Sequence, residues 1–179
     1  MRRGSVVVLA AALSLALAVS AGAFTPRPKT SHSLITCLRQ GGVLGGNRDG
    51  NGPIAAGSTF YLRVGWGADT KQHINDFLAV QSGSITIRDS GGAIVGSNSW
   101  GTGSTTYWSA PSNANLVDST GKPIHGWQTQ SYSAFGPLAA GSYSVAVDME
   151  LASSVSDGSP NPIPAGQWFG ESACPLVVS

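Results

Sequence analysis

His32, His73 and His125 are the side chains best suited to move a proton near neutral pH. Two acids flank one of them, Asp69 four residues before His73 and Asp76 three residues after it. Serines abound, yet no Gly-x-Ser-x-Gly elbow is there to strain a hydroxyl outward. The nearest approach, Gly96-Ser97-Asn98-Ser99-Trp100-Gly101, has the wrong spacing. On a helix, Asp69 and His73 would pair at i, i+4, which is ordinary helix stabilisation. A small secreted hydrolase is therefore an alternative that needs its triad assembled from distant segments. No catalytic residue is assigned.

Metal chemistry has one weak opening. In Asn47-Arg48-Asp49-Gly50-Asn51-Gly52, oxygen ligands fall at positions 1, 3 and 5 of a calcium loop and glycine at 6. Position 12 is Ser58, where a bidentate Glu belongs, and a single carboxylate neutralises little of a divalent charge. Asn47, Asp49 and Asn51 are thus a weak calcium candidate, and a plain turn wants the same residues. Zinc has still less support, since the histidines are widely spaced and both cysteines are better used in a bridge. Nothing in the sequence implies a cofactor.

The aromatic residues carry the most interesting signal. Trp100, Tyr107, Trp108 and Trp127 lie in or beside segments rich in Ser, Thr, Asn and Gly. Exposed indole and phenol faces stack on sugar rings, and nearby amides and hydroxyls satisfy sugar hydroxyls. These four residues are the candidate binding set, with carbohydrate or an extracellular protein as partner. The alternative is packing: Trp66, Trp127 and Trp168 fill the core, while Trp100 and Trp108 pin a long Gly-rich loop onto it.

The elements that must hold such a set read as strands. In Gly136–Leu151, Tyr143, Val145, Val147, Met149 and Leu151 alternate with Ser142, Ser144, Ala146, Asp148 and Glu150. A period of two with β-branched residues marks a strand with one buried face. Gly57–Trp66 alternates likewise, and Leu34–Gln40 is read as a first strand with Ile35, Cys37 and Arg39 on one face. Asp69–Gln81 changes period: Ile74, Phe77, Leu78 and Gln81 fall at i, i+3, i+4 and i+7, behind a capping Asp69 or Thr70. That predicts a short helix.

Ser84–Arg88 and Ala93–Gly96 flank Asp89-Ser90-Gly91-Gly92, a hairpin. Ser97–Lys122 shows little periodicity. Ile124–Phe135 is a further strand, and roughly Gln167–Val178 is the last one, after a proline-bearing loop over 152–166.

Arg2 and Arg3 precede an apolar run from Val6 to Val19, and Ala21-Gly22-Ala23 supplies small residues for cleavage. The run of about 14 residues fits a signal peptide over 1–23 and is short for a membrane span. Residues 24–33, proline-punctuated and polar, are read as a flexible tail, and 34–179 as one domain. Removing Arg2 and Arg3 from the 10 basic residues leaves 8 against 9 acidic, so no electrostatic footprint for nucleic acid or an anionic membrane exists. Cys37 and Cys174 are the only cysteines, and in an oxidising compartment they predict one disulfide. Closing so long a loop contributes up to roughly 5 kcal/mol on a chain-entropy argument.

These elements predict an all-β chain, an antiparallel immunoglobulin-like β-sandwich of about seven strands with one short helix around 69–81. Leu138-Ala139-Ala140-Gly141-Ser142-Tyr143 resembles the corner of immunoglobulin-like and fibronectin-III-like sandwiches, where a Tyr hydroxyl bonds back to the corner. The intersheet cysteine core of antibody domains is absent, with Val145 standing where a cysteine is expected. Trp66-Gly67-Ala68, Asp76-Phe77-Leu78 and Ala173-Cys174-Pro175 are similar to segments of uncharacterised secreted bacterial sandwich proteins. That resemblance implies no activity. The expectation is a secreted, non-catalytic binding module, with a structural or adhesive extracellular protein as the alternative.

Overall fold

The computed structural model describes residues 23–40, 42–46, 52–117, 122–169 and 173–179. Nearly all of the expected signal segment and the calcium candidate Asn47, Asp49 and Asn51 lie outside the described residues. In chain order the elements are β1 (His32–Ser33), α1 (Leu34–Gln40), β2 (Phe60–Ala68), α2 (Lys71–Val80) and β3 (Gln81–Arg88). There follow β4 (Ile94–Trp100), β5 (Ser112–Val117), β6 (Pro123–Phe135), β7 (Gly141–Leu151), β8 (Gly166–Phe169) and β9 (Cys174–Val178).

They form a β-sandwich. One sheet runs β1-β2-β6-β5; the other runs β4-β3-β7, with β9 and β8 sharing the far side of β7. Among the described residues, every pairing of these strands other than the parallel β1–β2 is antiparallel. The order β2-β6-β5 against β4-β3-β7-β9 is immunoglobulin-type wiring. Its corner between β6 and β7 is closed by the Tyr143 hydroxyl, which donates to the Ala139 carbonyl at 2.9 Å.

Alternation builds the core. On β2, Phe60, Leu62, Val64, Trp66 and Ala68 are buried, and on β7 Val145, Val147, Met149 and Leu151 are. Ile85 and Ile87 of β3 join them. Each such large side chain contributes about 1.5–3 kcal/mol by leaving water. The helix α2 begins where capping chemistry predicts: the Thr70 hydroxyl accepts from the His73 N–H at 3.2 Å. Its buried stripe is Ile74, Phe77 and Leu78.

The predicted hairpin is β3–β4, its turn held by Asp89, whose carboxylate accepts from the N–H groups of Gly91 and Ala93 at 2.9 Å each.

The expected first strand is instead the helix α1. Leu34, Cys37 and Leu38 stand at i, i+3 and i+4, a helical spacing that coexists with the strand reading in so short a run. The helix buries Leu34 and Cys37 and brings Cys37 to Cys174 of β9, with a Cα–Cα distance of 5.9 Å. The predicted disulfide therefore joins a helix to the last strand.

The expected final strand is two, β8 and β9. The weakly periodic 97–122 region holds the end of β4 and all of β5. Of residues 24–33, read as a flexible tail, Thr25 and Arg27 bond to the 105–112 segment, and His32–Ser33 form β1 beside β2. The Thr25 N–H donates to the Trp108 carbonyl at 2.7 Å, its hydroxyl bonds to the Thr106 carbonyl, and an Arg27 Nη reaches the Ser112 hydroxyl at 3.1 Å.

Candidate functional site

Of the four candidate aromatics, Trp100 and Trp108 are buried, while Tyr107 and Trp127 are partly buried against the core. Trp108 has no accessible surface and Trp100 retains 6%. Their rings join a continuous chain of contacts. Trp66 stacks on Phe77 at 4.5 Å and 1°; Phe77 meets Trp108 edge-on at 5.2 Å and 79°. Trp108 meets Trp100 at 6.3 Å and 84°, and Trp100 tilts against the partly buried Tyr107 at 5.8 Å. Such offset and edge-on pairs add about 0.5–1.5 kcal/mol each beyond area burial. A ring enclosed this way presents no face to a ligand.

One residue missed by the sequence reading organises this interior. Gln81, fully buried at the start of β3, accepts from the Trp100 indole N–H through Oε1. Its Nε2 donates to the Ser104 carbonyl at 2.8 Å, and its own carbonyl accepts from the Gly103 N–H at 3.0 Å. A buried amide so satisfied pins the 101–107 loop to the sheet. The signal was present: Gln81 was the one polar residue on an otherwise apolar helical stripe. Beside it, a Cβ on Gly83 would stand 2.6 Å from the Asp148 carbonyl and 2.9 Å from Trp100, so only glycine lets that indole lie against β3.

Trp127 differs. It is half-buried on β6, paired with Ala68 of β2 on one side and Asn113 of β5 on the other. His125 pairs with Asn115 two positions along. The period of two therefore sets Trp127, His125, Asn113 and Asn115 on one face, with Gly126 and Ala114 between them. They line an open groove of about 510 Å³. Lys71, at the start of α2, holds its Nζ 5.6 Å from the Trp127 ring centroid, a cation–π contact. The groove offers an aromatic ring, two exposed amides and an imidazole, with no carboxylate. That chemistry suits an uncharged, polyhydroxylated ligand.

The histidines do not converge. His32 is buried on β1, His125 lines the groove, and His73 Nδ1 bonds Asp69 Oδ1 at 2.6 Å along α2. Among the described residues, no serine bonds the His73 ring and no three His, Cys, Asp or Glu side chains gather as metal ligands. Trp168 lies on β8, but its side chain is outside the described set. Among the described residues no helix is long and apolar enough to cross a membrane.

Comparison of the chain with protein-family models, curated proteins and solved structures finds no match, so the geometry alone supports a functional reading.

Proposed function

We propose that the chain is a secreted, non-catalytic binding module that recognises a glycan through the Trp127 groove. One observation supports it above others: the partly buried indole shares its strand face with Asn113, Asn115 and His125. A sugar ring stacks on the indole while the two amides donate and accept toward its hydroxyls. Each such bond replaces one to water and contributes only about 0.5–1.5 kcal/mol net, so a shallow groove binds weakly. Export is read from the charged-then-apolar N-terminal pattern and fits a disulfide, which persists in oxidising compartments.

Affinity electrophoresis through gels carrying soluble polysaccharides tests this reading. The protein is retarded by at least one of them, and Trp127→Ala or Asn115→Ala restores free migration without lowering the melting temperature below that of a folded domain. Unretarded migration on every neutral and acidic polysaccharide would sink it.

A second reading, protein–protein contact, draws on a different observation. The edge strand β4 exposes Ile94 by 58% and Val95 by 41%, and no charged residue protects Ile94–Trp100. Unprotected edges add strands from other chains. If this edge is used, sedimentation shows concentration-dependent assembly that Val95→Lys abolishes.

A further inference from the structure

We infer that the open edge of β2 at Gly65 and Gly67 docks an extended peptide, one with apolar residues at alternate positions and a basic residue toward one end. Neither Trp127 nor the β4 edge takes part.

Backbone bonding fixes which way β2 turns its polar groups. The Tyr132 N–H donates to the Tyr107 carbonyl at 2.7 Å, and the Gln130 carbonyl accepts from the Ser109 N–H at 2.8 Å. Even-numbered positions here in β6 thus bond away from β2, and the odd-numbered ones carry the β2–β6 ladder. Their partners on β2 are Leu62, Val64, Trp66 and Ala68. Arg63, Gly65 and Gly67 therefore turn their N–H and C=O groups to the opposite side. Asp69 keeps that parity, and its N–H donates to the Asp157 carbonyl at 3.0 Å.

This side of β2 is filled at both ends and open between them. β1 runs beside Leu62 and Arg63, and the chain then enters α1 at Leu34. Asp157 takes the place beside Asp69. Among the described residues, nothing bonds the Gly65 or Gly67 backbone from this side. Two donors and two acceptors are left, on residues that are partly exposed. Such a row is a template for an added strand. Arg63 to Asp69 spans about 20 Å at strand rise, and its two ends are taken. A second folded copy cannot lay a long strand there, whereas a loose segment of roughly three to five residues fits.

The surroundings select what that segment carries. The gap opens into a cleft of about 800 Å³ whose walls include Ile35, Leu116, Ile124, Pro160 and Ile163. Val117 at its rim is 65% exposed. Val155 and Ile163 exchange backbone bonds at 3.0 and 2.8 Å, so one wall is formed before a ligand arrives. A Cβ on Gly65 would meet nothing nearer than 3.5 Å, so packing does not demand glycine there. A strand glycine of that kind marks a place where another backbone approaches closely. Asp69 and Asp157 line the cleft at the far end of β2, and no Lys or Arg lines it among the described residues. Apolar side chains suit its length, and a cation suits the aspartate end.

Selection of phage-displayed random heptapeptides on the immobilised, disulfide-bonded chain tests this site. Enriched sequences alternate apolar residues and carry Lys or Arg toward one end. Made synthetically with a fluorescent label, they bind saturably by anisotropy. N-methylation of peptide residues of one parity weakens binding about two- to tenfold per bond lost, while the other parity has no effect. Gly65→Pro removes the outward N–H and spares the β2–β6 ladder, so binding falls while the melting temperature holds. Asp157→Asn weakens the Lys-bearing peptides, as added salt does with the native chain. The N-methyl scan uses only the native chain, so it decides the matter even where Gly65→Pro does not fold. Failure to enrich any sequence, equal binding by a folded Gly65→Pro chain, or indifference to N-methylation at both parities overturns the site.

Discussion

Trp108, in Thr106-Tyr107-Trp108-Ser109, and Trp127, in His125-Gly126-Trp127-Gln128, both stand in segments that carry polar residues on either side. Trp108 ends at the centre of an aromatic stack, whereas Trp127 reaches the surface over an open groove. The difference is made by partners distant in sequence. Phe77 of α2 and Trp100 of β4 enclose Trp108, while the neighbours of Trp127 are Asn113 and the small Ala68. Residue type decides what a ring is able to do; strand pairing decides whether it does so in the core or at the surface.

Truncating the interior ring should have the largest effect. Trp108→Ala removes contacts to two other aromatic rings and is expected to cost about 3–5 kcal/mol, lowering the melting temperature by roughly 10 °C. Thermal unfolding followed by near-UV circular dichroism checks it, and a loss near zero would mean that the stack is not the core.

Gln81→Leu keeps the volume but strands the Trp100 N–H and the Ser104 carbonyl. A cost of about 1–3 kcal/mol follows, read from urea denaturation. Protection of the 101–107 amides against hydrogen exchange should fall with it.

On the surface side the balance inverts. Trp127→Ala is expected to cost less than Trp108→Ala, about 1–2 kcal/mol, since the ring is only partly buried. Glycan binding, on the reading proposed above, is expected to disappear.

The two halves of this comparison were unequally legible in the sequence. β2, β7 and α2 each carry a long, clean period, and the hairpin turn has its own chemistry in Asp89 and Gly92, so those elements and the Tyr143 corner could be read directly. α1 could not, because seven residues accommodate a period of two through Ile35, Cys37 and Arg39 and one of three to four through Leu34, Cys37 and Leu38. β5 was hidden for another reason. An edge strand whose residues are at best partly buried has no apolar alternation to show. Of the site, the residue types were visible and their exposure was not, since that depends on tertiary contacts and strand pairings, such as Phe77 with Trp108 and Asn113 with Trp127.

Smaller effects sharpen the same contrast between enclosed and wet polar groups. Tyr143→Phe loses the corner bond to Ala139 and is expected to cost about 0.5–1.5 kcal/mol by chemical denaturation.

Tyr132 supplies a pH dependence. Burial raises its pKa above the ordinary value of 10.0, with Arg27 and Arg63 pulling the other way. Above pH 10.0 the unfolded chain releases this proton first, so stability present below that pH is lost as pH rises through the folded value. Stability measured against pH in the alkaline range should fall less steeply in Tyr132→Phe than in the native chain.

The most direct test of the division between core and surface tryptophans is a glycan titration followed by calorimetry, run in parallel on the native chain and on Trp127→Phe and Trp127→Ala. Saturable heat is expected in the native protein, retained at weaker affinity by phenylalanine and lost with alanine, while all three unfold cooperatively. Undiminished affinity in Trp127→Ala would contradict the account and return the search for the binding face to another part of the sandwich.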